Sequence, residues 1–234
     1  MATAANAAPR EHAERILVVD FGGQYTQLIA RRVREVGVYS EILPYDATAE
    51  EIRAFAPSGI ILGGGPESVS EAGAPQIADA IVELNVPILG ICYGMQALAA
   101  KFGGAVAAST HREYGYAEVK VSGRDPLLAG LGSHLKVWMS HGDRVEALPQ
   151  GFTAIGTSGN SPCAAMANVE RRIFGLQFHP EVTHTERGLD ILRRFVLDNG
   201  MKVLLVSDPR FNKSAASLAV ETGQPDVQTM AVLL

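Results

Sequence analysis

A cysteine between two glycines is the strongest chemical feature of the sequence. Cys92 stands in the segment GICYGMQ over residues 90–96, where an apolar run gives way to a helical pattern. A nucleophile at such a strand–helix junction has the form of a nucleophile elbow. The sharp turn forces the nucleophile into an unfavourable backbone conformation, and side chains in place of Gly90 and Gly94 would collide with the turn. The pattern therefore predicts that Cys92 is a nucleophile.

The expected position of Cys92 at a helix N-terminus suits a thiolate, because the helix macrodipole favours negative charge there. The backbone N–H of Tyr93 is then a candidate donor to the oxyanion of a tetrahedral intermediate. The alternative is that Cys92 is a small buried core residue, as many cysteines are. Cys163 follows Ser161-Pro162 and enters an apolar run without an elbow. We interpret Cys163 as structural.

A cysteine nucleophile needs a base, and the segment FHPE over residues 178–181 offers one together with an orienting group. Pro180 disfavours helix at His179, so this segment should be extended. Residues two apart in an extended segment project to the same side, so Glu181 can reach His179. By itself, a His-x-Glu pattern could equally be solvated surface. Combined with the elbow, it predicts His179 as the base and Glu181 as the residue that orients it.

A second glycine-rich turn, Gly63-Gly64-Gly65-Pro66, lies one strand–helix unit before the elbow. Alone, three glycines indicate only a flexible turn. Beside the elbow, the turn can bring a backbone N–H to the same oxyanion. Gly65, held by the proline that follows it, is the best candidate for that donor.

The surrounding pattern predicts an α/β fold with a mostly parallel central sheet, flanked by helices and followed by a mixed or antiparallel extension. Short apolar runs alternate with helical patterns in the first hundred residues, as in right-handed βαβ crossovers. Ligands of such sheets bind beyond the carboxyl ends of the strands, where both glycine-rich turns fall. The predicted parallel strands are 16–19, 39–43, 59–62 and 86–91; the helices are 24–37, 48–55, 74–84 and 186–198. The predicted strands of the extension are 117–121, 135–139, 152–157, 164–169 and 173–178.

The composition excludes several classes of protein. The 234 residues carry a formal net charge of -5 without a Lys/Arg run, which argues against a nucleic-acid partner. No stretch of 18 or more apolar residues exists, so we expect no membrane span. Two cysteines do not make a disulfide framework, so we expect a reducing, cytoplasmic setting.

Taken together, these motifs resemble the class I (triad-type) glutamine amidotransferases, whose fold is a flavodoxin-like three-layer sandwich. The longer stretches resemble the amidotransferase part of GMP synthases. These stretches are DFGGQY over residues 20–25, GPESV over 65–69, VWMSHGD over 137–143 and HPEVTHT over 179–185. The resemblance covers about residues 15–198. We therefore expect a disordered lead-in over 1–14, an amidotransferase domain over 15–199, and a tail of unknown role over 200–234.

The resemblance implies that Cys92 attacks the side-chain amide of L-glutamine and that His179, assisted by Glu181, protonates the leaving ammonia. It also implies that Gln96, Ser140 and His141 hold the amino-acid end of the substrate. The glutaminase half needs no metal and no organic cofactor. In the family, ammonia passes to an ATP-pyrophosphatase domain or subunit that uses ATP and Mg²⁺ to aminate xanthosine monophosphate. The phosphate loop of that domain is not found after Gly200.

Three alternatives stay open from the sequence. The chain could serve another acceptor, such as chorismate or a carbamoyl-phosphate pathway, or it could be a related γ-glutamyl hydrolase. It could also be a non-catalytic binding domain on the same fold. The polar residues His141, Asp143 and Arg144 belong either to a docking surface for the partner or to a solvated turn. In the tail, Val203–Val206 predicts a strand and Ala215–Thr222 a helical turn or two.

Overall fold

The structure is a computed structural model that describes residues 14–122 and 125–197 and three short strands of the tail. Side chains are described for these residues except 109–111, 197 and the tail strands. Apart from Glu14, the predicted lead-in lies outside the described residues, as does most of the tail. Within the described part of the chain, no helix is long and apolar enough to cross a membrane.

One large mixed sheet organises residues 15–176, in the order β2-β1-β3-β4-β9-β8-β7-β5-β6. The pairs among β1 to β4 and the pair β4–β9 are parallel, whereas the pairs among β5 to β9 are antiparallel. The strands are β1 Arg15–Asp20, β2 Tyr39–Pro44, β3 Gly59–Leu62, β4 Ile88–Ile91, β5 Ala105–Val121, β6 His134–Ala147, β7 Thr153–Thr157, β8 Ala165–Asn168 and β9 Ile173–Leu176. The helices are α1 Thr26–Glu35, α2 Ala49–Phe55, α3 Asp79–Glu83, α4 Tyr93–Lys101 and α5 Gly188–Leu197. The predicted fold class is confirmed.

Alternation along β1 shows how the sheet is buried on both faces. Ile16 and Val18 enter the core that α1 and α5 cover, whereas Leu17 and Val19 enter the core that α2, α3 and α4 cover. All four side chains are at most 2% exposed. A strand that is buried on both faces is apolar at every position, which is why it reads as a continuous apolar run.

Three predicted elements differ clearly from the structure in their bounds. The predicted helix 74–84 shrinks to α3 Asp79–Glu83, because the residue before Pro75 is disfavoured in the helical region and proline lacks an N–H. The predicted strands 117–121 and 135–139 are only parts of β5 and β6. Those strands continue through polar segments, with a register shift between Ala108 and Glu113.

The tail forms a separate three-stranded antiparallel sheet, β10 Lys202–Val206, β11 Ala215–Ala219 and β12 Met230–Leu233. The predicted strand Val203–Val206 lies within β10. The predicted helical turns at Ala215–Thr222 were wrong over their described part, because β11 pairs with β10 on one side and β12 on the other. Such pairing outweighs the weak helical preference of an alanine-rich segment.

Candidate active site

A cleft of about 460 Å³ opens at the carboxyl edge of the parallel strands. It collects residues from the glycine-rich turns, the elbow, the strands β5 and β6, and the segment that follows β9. The lining residues include Gly64, Gly65, Cys92, Tyr93, Gln96, Ser140, His141 and His179. The cleft therefore brings together all the predicted site residues except Glu181, which lies directly behind His179.

The elbow at Cys92 has the predicted strained backbone. Cys92 adopts φ 54° and ψ −109° immediately before α4, in the region that side chains rarely occupy. A Cβ on Gly90 would lie 2.6 Å from the carbonyl of Gly94, and a Cβ on Gly94 would lie 2.3 Å from the Leu62 carbonyl oxygen. Both glycines are required because the strand and helix approach closely. This turn presents the Cys92 thiol at the end of a helix, inside the cleft.

His179 and Glu181 form a short, buried hydrogen bond beside Cys92. His179 Nδ1 lies 2.7 Å from Glu181 Oε1, and the two residues are 4% and 1% exposed. Because a carboxylate only accepts, Nδ1 carries the proton in this bond. The backbone fixes the ring, since the His179 N–H donates to the Trp138 carbonyl at 3.0 Å and its carbonyl accepts from the Thr185 hydroxyl at 2.6 Å.

The charges around His179 favour its protonated form. Burial acts to lower the pKa of His179, but the Glu181 carboxylate and Cys92 oppose it, both by charge and by hydrogen bonding, and raise the pKa to about 10. At neutral pH the imidazole therefore carries a second proton that it can transfer to a leaving group. The raised pKa fits the role, implied by the resemblance, in which His179 protonates the leaving ammonia.

The two predicted oxyanion donors line the same cleft as the Cys92 thiol. The Gly63–Gly65 turn is so close that a Cβ on Gly64 would lie 3.5 Å from His179 Cε1 and 3.9 Å from Cys92 Cβ. A Cβ on Gly65 would lie 2.9 Å from the Phe21 carbonyl oxygen. Among the described residues, neither the Gly65 nor the Tyr93 N–H donates to a protein acceptor. Both N–H groups are therefore available for a ligand.

The residues predicted to hold the substrate differ in which of their hydrogen-bonding groups already have partners within the protein. Gln96 is buried, and its Nε2 donates to the Asp143 carbonyl at 2.8 Å and to Gln177 Oε1 at 3.2 Å. The Ser140 carbonyl accepts from the Cys92 thiol at 3.6 Å. His141 has both ring nitrogens occupied, Nδ1 by the Asp143 carbonyl at 2.9 Å and Nε2 by Glu113 at 3.1 Å. Any contact of His141 with substrate would therefore use its backbone.

The same geometry bears on the docking hypothesis for 141–144. The His141 ring is 4% exposed and so is not presented to a partner. Arg144 donates to the Glu146 carboxylate at 2.7 Å and to the Asn160 carbonyl at 2.5 Å.

The second cysteine, Cys163, is buried in the core. Its thiol lies 3.7 Å from the Ala165 carbonyl, and burial raises its pKa to about 12. Cys163 therefore stays a neutral thiol, consistent with its interpretation as structural.

Two buried polar residues at this site, Gln177 and Glu113, were not predicted from the sequence. Gln177 Nε2 lies 3.9 Å from the Cys92 sulfur. Gln177 stands two residues before His179, so the alternation that linked His179 to Glu181 could have found it. Glu113 accepts from the Ser158 and Ser161 hydroxyls and contacts His141. No local pattern announced it, because its partners come from other strands and loops.

Comparison with known proteins agrees with this geometry. The family model for class-I glutamine amidotransferases matches residues 17–199. A GMP synthase [glutamine-hydrolyzing] of Ectopseudomonas mendocina is 52% identical over 225 residues, which cover 92% of this chain and 43% of that protein. Its counterpart in Methylococcus capsulatus is 57% identical over 193 residues, which cover 79% of this chain and 37% of that protein. The chain thus spans about two fifths of the length of these relatives.

Solved structures show the same fold. A Thermoplasma acidophilum protein described as a GMP synthase subunit superposes with a TM-score of 0.73 at 36% identity, covering 80% of this chain and 94% of that one. A Thermotoga maritima glutamine amidotransferase has a TM-score of 0.65 at 22% identity, covering 81% of this chain and 99% of that one. The chain therefore belongs to the class-I glutamine amidotransferase family.

Proposed function

We propose that this chain hydrolyses L-glutamine to glutamate and ammonia, with Cys92 as nucleophile, His179 as proton carrier and Glu181 as the group that orients and charges His179. One observation carries the proposal: a cysteine on a strained elbow lies beside a buried histidine whose pKa is raised to about 10. A cysteine sulfur and a protonated imidazole side by side are the nucleophile and the proton donor that amide cleavage requires.

The acylation half follows from the positions of these groups. The Cys92 sulfur attacks the side-chain amide carbon of glutamine, and the carbonyl oxygen becomes an oxyanion between the Gly65 and Tyr93 N–H groups. His179 donates a proton to the amide nitrogen, the C–N bond breaks, and ammonia leaves. Cys92 is then a glutamyl thioester and His179 is neutral.

The deacylation half restores the starting state. Neutral His179 takes a proton from water as the water oxygen attacks the thioester carbon. The C–S bond breaks, glutamate leaves, and the thiolate faces an imidazolium again. Gln96 and the backbone of Ser140 and His141 would hold the amino-acid end of the substrate. No step needs a metal or an organic cofactor.

The ammonia acceptor we propose is xanthosine monophosphate, as in GMP synthesis. The support comes from relatives at 52% and 57% identity that are GMP synthases [glutamine-hydrolyzing]. The amination would take place on an ATP-pyrophosphatase domain or subunit that binds ATP and Mg²⁺. The proposal places the chain in the cytoplasm and requires neither nucleic acid nor a membrane.

Replacing each cysteine in turn tests the proposal. Cys92→Ser should lower glutamate release from glutamine by at least about 10³-fold, since removing a nucleophile disables the whole triad. Cys163→Ala is the matched control and should keep the wild-type rate, because Cys163 lies away from the cleft. A Cys92→Ser protein with wild-type glutaminase activity would refute the proposal.

The acceptor is tested separately. Adding an ammonia-dependent synthase chain from one of the relatives, with ATP, Mg²⁺ and xanthosine monophosphate, should give glutamine-dependent GMP that Cys92→Ser abolishes. Glutamate release from γ-glutamyl peptides, but not from glutamine, would instead indicate a γ-glutamyl hydrolase.

A further inference from the structure

Gln177 is a fully buried polar residue that the reaction steps above do not use. It follows β9 directly, its side chain is 0% exposed, and its backbone N–H donates to the Ala164 carbonyl at 2.9 Å. Its side chain enters the space between α4 and the Cys92 sulfur. A buried amide keeps its place only when its donors and acceptors are matched.

The surrounding hydrogen bonds fix which end of the Gln177 amide faces the sulfur. The Asp143 carbonyl can only accept, so the Gln96 group 2.8 Å from it must be the NH₂. That NH₂ also lies 3.2 Å from Gln177, which must therefore present its oxygen there. A flipped Gln177 would place NH₂ against NH₂ and oxygen against sulfur. The NH₂ of Gln177 is consequently the end that lies 3.9 Å from Cys92 Sγ.

We propose that Gln177 donates a hydrogen bond to the Cys92 sulfur and holds it in position for attack, with its own orientation set by Gln96. The inference rests on the proposed function and deepens it. During the cycle His179 loses its proton to the leaving ammonia, whereas the Gln177 amide cannot lose one. Gln177 is therefore a donor that remains when the thioester breaks and the thiolate re-forms.

The arrangement also links the nucleophile to the substrate site. Gln96 lines the cleft and donates to Gln177, which in turn donates to Cys92. A substrate that orders Gln96 would thereby order the donor to the sulfur. A chain of hydrogen bonds of this kind aligns the groups along it.

The test compares Gln177→Met and Gln177→Glu in a Cys163→Ala background, so that Cys92 is the thiol that iodoacetamide reports. Gln177→Met keeps the side-chain volume but loses the donor. It should lower kcat by about 10-fold, leave KM within about 3-fold, and move the pH midpoint of Cys92 alkylation upward. Gln177→Glu places a negative group against the sulfur and should move the midpoint further in the same direction.

Two outcomes would overturn the inference. One is an alkylation profile and kcat unchanged in both variants; the other is a lower melting temperature with an unchanged profile, which would make Gln177 a packing residue. Both leave the proposed function intact, provided that Cys92→Ser is inactive. Where Gln177→Glu fails to fold, Gln177→Met alone decides. Failure of the proposed function itself would appear as absent glutaminase activity in the Cys163→Ala parent.

Discussion

Two buried histidine–glutamate pairs lie within the same site, and their electrostatics differ. His179 and Glu181 are 2.7 Å apart, and His141 and Glu113 are 3.1 Å apart. The pKa of His179 is raised to about 10, whereas the pKa of His141 is lowered, mainly by burial. The same two residue types, at similar burial, thus have histidine pKa values that are shifted in opposite directions.

The neighbours of each carboxylate explain the difference. In the described part of the chain, the Glu181 carboxylate accepts a hydrogen bond from His179 alone, and its Oε2 has no partner. Glu113 instead accepts from the hydroxyls of Ser158 and Ser161, which share its charge. His179 also faces Cys92, while His141 lies near the positive charge of His179. The pKa of a buried histidine is therefore raised more by a carboxylate that has no other hydrogen-bond donors than by one that also accepts from hydroxyls.

The largest effect that tests this comparison is expected for Glu181→Gln. Without the carboxylate, only Cys92 opposes the lowering of the His179 pKa by burial, so glutamate release should fall by about 10²–10⁴-fold. Histidine NMR should show the pKa of His179 far below its wild-type value of about 10. Glu113→Gln is the matched control, and its glutaminase activity should fall by less than about 10-fold. Equal losses in the two variants would mean that both pairs serve catalysis.

The same variant should also change how the free energy of unfolding depends on pH. The pKa of His179 is raised from 6.5, so its proton stabilises the folded state fully below about pH 6.5, and this contribution is lost as the pH rises toward about 10. The free energy of unfolding of the wild type should therefore decline over that interval more steeply than that of Glu181→Gln. Parallel curves from urea titrations would contradict the raised pKa.

An intermediate effect is expected for His141→Ala. The change leaves Glu113 buried with hydroxyl donors but without the imidazole, which should lower the free energy of unfolding by about 1–3 kcal/mol. Urea denaturation measures this loss. Adding Glu113→Gln removes the buried charge and should recover part of it. If the double variant is less stable than His141→Ala, the carboxylate is not the group left unsatisfied.

The smallest effect is expected for Ser161→Ala. The Ser161 hydroxyl is fully buried and donates to Glu113 at 3.1 Å, so its loss should cost about 0.5–1.5 kcal/mol of folding stability. The Glu113 charge is then less shared, and the His141–Glu113 pair should take up its proton at a higher pH. NMR titration of His141 reports this change. A shift to lower pH would show that the hydroxyls do not divide the charge.

Apolar periodicity predicted the α/β sheet with its flanking helices, and two local motifs predicted the Cys92 elbow and the His179–Glu181 contact, because each of these depends on residues close together in the chain. The elbow is contained within Gly90–Gly94, and the His179–Glu181 contact spans two residues. The Glu113–His141 contact is different in kind, because it exists only through the antiparallel pairing that sets these residues opposite each other on β5 and β6. The register shift just before Glu113 removes the alternation that would have indicated its face.

The prediction of a helix over 74–84 was wrong for a local reason, and the irregular segment found there has a structural role. Around Pro75 the chain leaves the helical path, and the Pro75 carbonyl accepts a 2.6 Å hydrogen bond from the Tyr93 hydroxyl. Tyr93 is fully buried next to the nucleophile. The irregular segment thus braces the first residue of α4, a role that apolar periodicity cannot reveal.

At Cys92, the backbone conformation that presents the thiol also lowers the stability of the fold. A side chain at φ 54° and ψ −109° costs the fold about 1–3 kcal/mol, which glycine at the same position would largely avoid. Variants of this protein selected only for thermal stability would therefore be expected to carry glycine at this position. Keeping a cysteine here therefore requires a benefit that outweighs this loss of stability, and the proposed role of Cys92 as nucleophile would supply it.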